Sequence, residues 1–188
     1  MIFNLFKSKP TLKELIPEGF ADIHSHILPG IDDGPKNIDE SLELISEMKK
    51  LGLSKIIGTP HTYPGLYNNT NESIENSFKQ IRNKINDISY ASEYMIDLSL
   101  VKSAEKKTLL TLNEKNYVLI ESSLIYPSKH IYEVIFRLRI NGYIPILAHP
   151  ERYTYYINNF EEFYKLKRAG CLFQLNLLST TGYYGTPT

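Results

Sequence analysis

The sequence predicts an α/β fold in which parallel strands alternate with crossover helices. Three observations lead there. Short apolar runs and amphipathic stretches take turns along the chain. Val118-Leu119-Ile120 and Ile144-Pro145-Ile146-Leu147 are unbroken apolar runs, as strands covered on both faces are. A polar residue closes strand after strand at the carboxyl end, where open sheets and barrels of this class build their sites.

Taken in order, Phe20 to His26 reads as the first strand. Asn37 to Leu51 reads as a helix, with Ile38, Leu42, Ile45, Met48 and Leu51 at helical spacing and Gly52 in the left-handed capping position. Ser54 to Thr59 is the next strand, broken by Pro60-His61. Asn71 to Asn86 carries the stripe Ile74, Phe78, Ile81, Ile85, and an extended piece follows through Ser89 to Glu93. Tyr117 to Ile120 is a strand closed by Glu121, and a helix runs from His130 to Ile140 until Asn141-Gly142. Ile144 to Ala148 is a strand closed by His149-Pro150, Phe160 to Ala169 a helix, and Cys171 to Asn176 the last strand. These make five or six βα units, fewer than an eight-unit barrel needs.

The 188 residues suit one domain with an ordinary globular balance: 42% hydrophobic and 22% charged. Equal numbers of basic and acidic residues, 21 each, give no bulk charge for nucleic acid. No run approaches a membrane span, and the opening Met1 to Lys7 is too short for a signal peptide. One cysteine, Cys171, excludes an intrachain disulfide and fits a reducing compartment, so a cytoplasmic protein is expected. Lys7, Lys9 and Lys13 are too sparse for a basic patch.

The strongest local signal is Asp22-Ile23-His24-Ser25-His26. On a strand, alternate side chains share a face, so His24 and His26 point the same way and can bind one metal ion. Two histidines satisfied by ordinary hydrogen bonds are the alternative. That alternative weakens because His61, Glu93, Glu121 and His149 also stand at strand ends, leaving only His130 elsewhere. Imidazoles and carboxylates without thiolates suit Mn, Zn or Fe(II), and several ions at one mouth would assist phosphoryl hydrolysis. Asp32-Asp33-Gly34 reads as a turn on its pattern alone. Arg152 offers a fork for a phosphate or, equally, a salt bridge to Glu151 or another acid. Tyr153, Tyr155, Tyr156, Tyr183 and Tyr184 are expected to cover a rim with one wet end each, with stacking on an aromatic substrate as the alternative. Cys171 lacks the loop glycines and following arginine of a cysteine phosphatase and reads as a buried strand cysteine.

Three segments carry a family resemblance: Phe20 to Gly34 (FADIHSHILPGIDDG), Thr59-Pro60-His61, and Leu147 to Tyr153 (LAHPERY). Together they resemble the polymerase-and-histidinol-phosphatase (PHP) superfamily, within it the bacterial capsule and exopolysaccharide tyrosine-protein phosphatases. The resemblance implies a distorted (β/α)7 barrel over residues 20–188, with residues 1–19 as an N-terminal extension. It also implies a metal cluster, typically manganese, at the strand carboxyl ends. Carried over by motif, His24 and His26 bind the first ion with Glu121 bridging; Asp33, His61 and Glu93 serve neighbouring ions; His149 completes another; and Arg152 holds the substrate phosphate. The implied substrate is a phosphotyrosine-bearing tail of an autokinase that drives polysaccharide export. Family members continue past Gln174 to Ser179 with a helix and a strand bearing Asp-x-His, and no Asp-x-His follows Asn176 here. A barrel lacking its last βα unit, with an open sheet edge that invites self-association, is therefore expected. The rival readings are a phosphatase for a small metabolite such as histidinol phosphate, and an inactive binding fragment.

Overall fold

A computed structural model describes residues 11–157 and 159–185. Lys7, Lys9 and the opening Met1 to Lys7 lie outside the described residues. After a short helix, α1 (Leu12–Leu15), the chain runs β1 (Ala21–Ser25), α2 (Ile38–Lys50), β2 (Lys55–Gly58), β3 (His61–Thr62), α3 (Asn71–Arg82), β4 (Ile88–Tyr90), β5 (Glu93–Met95), α4 (Leu98–Glu105), β6 (Tyr117–Glu121), α5 (Ile131–Ile140), β7 (Ile144–Ala148), α6 (Phe160–Arg168) and β8 (Leu172–Gln174). All strand pairs are parallel, in the orders β1-β2-β4 and β3-β5-β6-β7-β8.

The two sheets are halves of one wall. The ladder loses regular strand geometry at Thr59-Pro60, where proline has no N–H to donate, and at the facing Ala91-Ser92. It is carried across by Ala91 N–H donating to Gly58 O at 2.9 Å and Glu93 N–H to Pro60 O at 3.0 Å. β2 with β3, and β4 with β5, each make one stave. The wall is then six parallel staves in chain order, β1 at one flank and β8 at the other, with no ladder between these flanks among the described residues.

Local chemistry sets the helices. Asn37 caps α2 by accepting from Glu40 N–H at 3.0 Å, and Thr70 with Ser73 forms a capping box on α3. Gly52 (φ +107°) ends α2, a backbone state that costs any other residue. Asp97 caps α4 by accepting from Ser99 and Leu100 N–H at 2.7 and 3.0 Å. α4 shows no helical stripe in the sequence, because its buried side chains (Leu100, Val101, Ala104) span little more than one turn. The sequence predicts one extended piece at 89–93, where the structure has β4, a break and β5. α3 stops at Arg82 rather than Asn86.

Alternation divides each strand between two surfaces. Val118, Ile120 and Leu147 join Val134, Ile135 and Leu138 of α5 and Leu100 and Ala104 of α4 in the larger core. Ile27, Leu28, Ile45, Ile56, Ile74 and Ile81 form a second core under α2 and α3. Leu119, Ile146 and Ala148 cluster separately from the larger core, and on their side of the wall stand Glu121, Glu93, His24 and His26 by the same period of two. Tyr153 and Tyr156 correct the rim expectation: both are buried, and the Tyr153 hydroxyl accepts from Ser122 N–H at 3.0 Å. Burying the rings gains apolar area while the hydroxyl still finds a backbone donor. Tyr183 remains exposed. Among the described residues no helix is long and apolar enough to cross a membrane.

Candidate metal centre

The carboxyl ends of the staves bring His24, His26, His61, Glu93, Glu121 and His149 to one cavity of ≈ 1080 Å³, with Asp33 and Arg152 at its walls. Residues far apart in sequence meet because each stave ends there. His61 and Glu93 are register partners across β3 and β5, Met95 pairs with Glu121 across β5 and β6, and His149 follows β7 directly.

Glu93 stands at the centre and is 0% exposed. Its Oε2 lies 3.2 Å from His24 Nε2, 3.5 Å from His26 Nε2 and 3.1 Å from His61 Nδ1. Its Oε1 lies 3.0 Å from His149 Nε2. Glu121 Oε1 reaches one imidazole, His61 Nδ1, at 2.7 Å. Asp33 is the exposed member, 3.5 Å from His26 Nδ1 and 3.7 Å from His61 Nε2. His130, away from strand ends, is also away from the site and faces Glu133 at 3.6 Å.

The electrostatics follow from burial against partners. Burial works against ionisation of Glu93, yet the surrounding imidazoles, His24 foremost, hold its carboxyl well below the usual range. Burial, with Glu93 adding to it, pushes Glu121 up. His26 is disfavoured as a cation by burial, but Asp32 and Glu93 overcome this and lift it to about 10. His24 and His61 are raised against the same burial penalty by Glu93 and Glu121 respectively.

Two residues outside the expected set orient the imidazoles. Asp32 Oδ2 lies 2.6 Å from His26 Nδ1 and accepts from His61 N–H at 3.1 Å. Gly34 makes this turn possible, since a Cβ there would lie 2.3 Å from His26 O. Gln174 Oε1 lies 2.7 Å from His24 Nδ1 and accepts from His149 N–H at 3.2 Å. Both leave the Nε2 of their histidine turned toward Glu93, as outer partners of metal-binding histidines do. Asp32 could have been found from the motif that yielded Asp33; Gln174 left no local signal. His149 adopts a left-handed backbone (φ 33°), a strained state that costs on the order of 1–3 kcal/mol and concentrates at functional sites.

The site fits a cation by an independent criterion. His61 Nδ1, Glu93 Oε2, Glu121 Oε1 and His149 Nδ1 are buried and have no hydrogen-bond partner of acceptable geometry. Buried groups left this way cost free energy unless something else satisfies them. Three sets offer ligand atoms mutually within 4.8 Å: His24, His26, Glu93; His26, Asp33, His61; and His61, Glu93, Glu121. The donors are nitrogen and oxygen only, which suits borderline or hard divalent ions.

Arg152 does not pair with Glu151. Glu151 Oε1 instead accepts from Asn176 N–H (3.1 Å) and Ser179 Oγ (2.6 Å). Cys171 is buried at 1% exposure with its thiol pushed up to about 12 by burial, which leaves no thiolate for a cysteine mechanism.

Comparison with known proteins gives the same direction. Residues 20–188 match the family model "Capsular polysaccharide synthesis, CpsB/CapC". Tyrosine-protein phosphatase CpsB of Streptococcus pneumoniae is 34% identical over 161 residues, covering 82% of this chain and 66% of that protein. Tyrosine-protein phosphatase YwqE of Bacillus subtilis is 31% identical over 170 residues, covering 87% and 67%. A crystal structure from a study of YwqE and CpsB, described as "unique metal-dependent tyrosine phosphatases", superposes with a TM-score of 0.76 at 29% identity, over 89% of this chain and 70% of that one. The chain thus spans about two thirds of the length of these curated relatives. The chain belongs to the CpsB/CapC family of capsular polysaccharide synthesis proteins, a PHP-type branch.

Proposed function

We propose that this chain acts as a metal-dependent protein-tyrosine phosphatase, with residues 20–188 as the working unit. The observation that carries the reading is the meeting of four imidazoles with Glu93 and Glu121, several of whose buried atoms make no hydrogen bond of acceptable geometry. His24, His26 and Glu93 would hold one ion, and His61, Glu93 and Glu121 a second; Asp33 with His26 and His61 offers a third place, and His149 flanks Glu93. We assign the shared position to Glu93 rather than Glu121, because four imidazoles reach the former and one the latter. Manganese is the proposed ion, and the nitrogen–oxygen donor set admits zinc or iron as well.

When bound, such ions supply positive charge for phosphoryl oxygens and lower the pKa of a water. The chain's own groups do the rest. The Arg152 fork is free of carboxylates and can hold two phosphate oxygens. Leu66, Leu124 and Ile125 line the mouth beside the cluster and give an aryl ester an apolar wall. The relatives' names support phosphotyrosine as the substrate and capsule synthesis as the setting. The tail of a tyrosine autokinase in the cytoplasm is the partner we infer.

Hydrolysis of a phosphotyrosine peptide should require added Mn²⁺, vanish with a chelator, and exceed hydrolysis of histidinol phosphate. Turnover indifferent to chelation, or unchanged in His24→Ala, would sink the reading. Preference for histidinol phosphate would make the chain a metabolite phosphatase, and cation binding without turnover a binding module. Asp32→Asn tests the outer support: Mn²⁺ affinity, read by calorimetry, should fall about 10- to 100-fold. An unaltered affinity would mean that the His26–Asp32 contact does not orient a ligand.

A further inference from the structure

Arg152 has no ion pair and no side-chain hydrogen bond among the described residues, although a free guanidinium can make five. What holds it is a ring. Its Cζ lies 4.4 Å from the centroid of Tyr184, within cation–π range. Both residues line the cavity that contains His24 and His149.

The segment that delivers Tyr184 is itself tied down. Glu151, beside Arg152 in sequence, takes Asn176 N–H and Ser179 Oγ on one carboxylate oxygen. The turn Leu177–Thr181 follows, and Gly182 in a left-handed state (φ 80°) directs the chain back toward the cavity. Glu151 thereby answers for the tail and leaves its neighbour's charge unneutralised. The Cζ lies over the ring; a ring that stacks on a guanidinium covers its plane and leaves its N–H edge open, and a phosphate accepts from that edge.

We propose that Tyr184 is the positioning residue for Arg152, presenting the guanidinium edge to the non-bridging oxygens of a phosphomonoester. The inference deepens the proposed function and rests on it for the identity of the ester, though not for the binding of the oxyanion. The probe is inorganic phosphate, titrated into the 188-residue chain by calorimetry with Mn²⁺ present. Tyr184→Leu should bind phosphate about fivefold more weakly, the scale of one half-exposed cation–π contact, with Tm and Mn²⁺ content unmoved. Tyr184→Phe, which keeps the ring face, should restore the affinity. Arg152→Lys should lose it too, and adding Tyr184→Leu to Arg152→Lys should cost nothing further, because the ring acts through the fork.

Equal phosphate affinity in Tyr184→Leu overturns the proposal. Tighter binding also overturns it, by making the ring a plug over the subsite. Absence of phosphate binding in the unaltered chain overturns it as well. Hydrolysis is scored separately: if no phosphotyrosine peptide is turned over while the phosphate series behaves as stated, the phosphatase reading fails and the role of Tyr184 stands.

Discussion

Glu93→Gln should cut Mn²⁺ affinity by more than about 100-fold, beyond the loss expected for any outer partner, and abolish metal-dependent hydrolysis with it. The reason is geometric. Four imidazole nitrogens lie within 3.5 Å of this one carboxylate, so its negative charge serves every member of the cluster at once. The metal-free protein should suffer too. Removing one partner from a buried set of charges typically costs about 3–5 kcal/mol, because the remaining charge is stranded away from water. Glu121→Gln provides the contrast: that carboxylate reaches His61 alone, so the loss of affinity should be smaller. Metal content per chain and chemical denaturation with and without Mn²⁺ check both effects. Equal losses in the two variants would remove Glu93 from its central role.

The second large effect is on pH. His26 is lifted from its ordinary 6.5 to about 10, and His24 and His61 are raised as well. A histidine with a raised folded pKa contributes stability that is complete below its unfolded value, and that stability disappears as pH rises through the folded one. Glu93 is displaced downward, so its contribution is present above its unfolded 4.5 and is lost as pH falls through its depressed folded value. Glu121 is displaced upward, so its contribution is lost as pH climbs above its unfolded 4.5; the metal-free chain should therefore be most stable toward the lower end of the window between about pH 4.5 and 6.5 and weaken toward pH 10. Cations need imidazoles without protons, so their uptake releases protons and strengthens as pH rises above about 6.5. The rise in Tm caused by Mn²⁺ should be small at pH 6 and grow by pH 8.5. A pH-independent rise would contradict the linkage.

Some of this was readable in the residues and some was not, for physical reasons. His24 and His26 announce themselves because a strand has a period of two. His61, Glu121 and His149 follow because each terminates an apolar run. Glu93 closes an expected extended piece, but in the structure it opens β5, after the break that Ala91-Ser92 makes between β4 and β5. Asp32 was hidden by the dominance of Asp-Asp-Gly as a turn pattern, which it also is. Gln174 meets His24 across 150 positions of sequence, and no periodicity spans that distance. Tyr153 looked like a rim residue because a phenol can live half wet; its hydroxyl found Ser122 N–H inside, which made full burial affordable. α4 escaped because a helix of 8 residues shows too little period to be told from noise.

The flanking staves β1 and β8 share no ladder, and among the described residues their hydrogen-bonded link is the single amide–imidazole contact between Gln174 and His24. That imidazole belongs to the same cluster that would grip the cations. Whatever clasps the cluster therefore also braces the circumference of the molecule, as a keystone steadies an arch whose feet are not joined. Occupancy would then be a mechanical variable: bound ions would hold the flanks together, and their loss would leave the flanks joined only by that contact. Ion supply would then govern how long such a chain survives proteolysis.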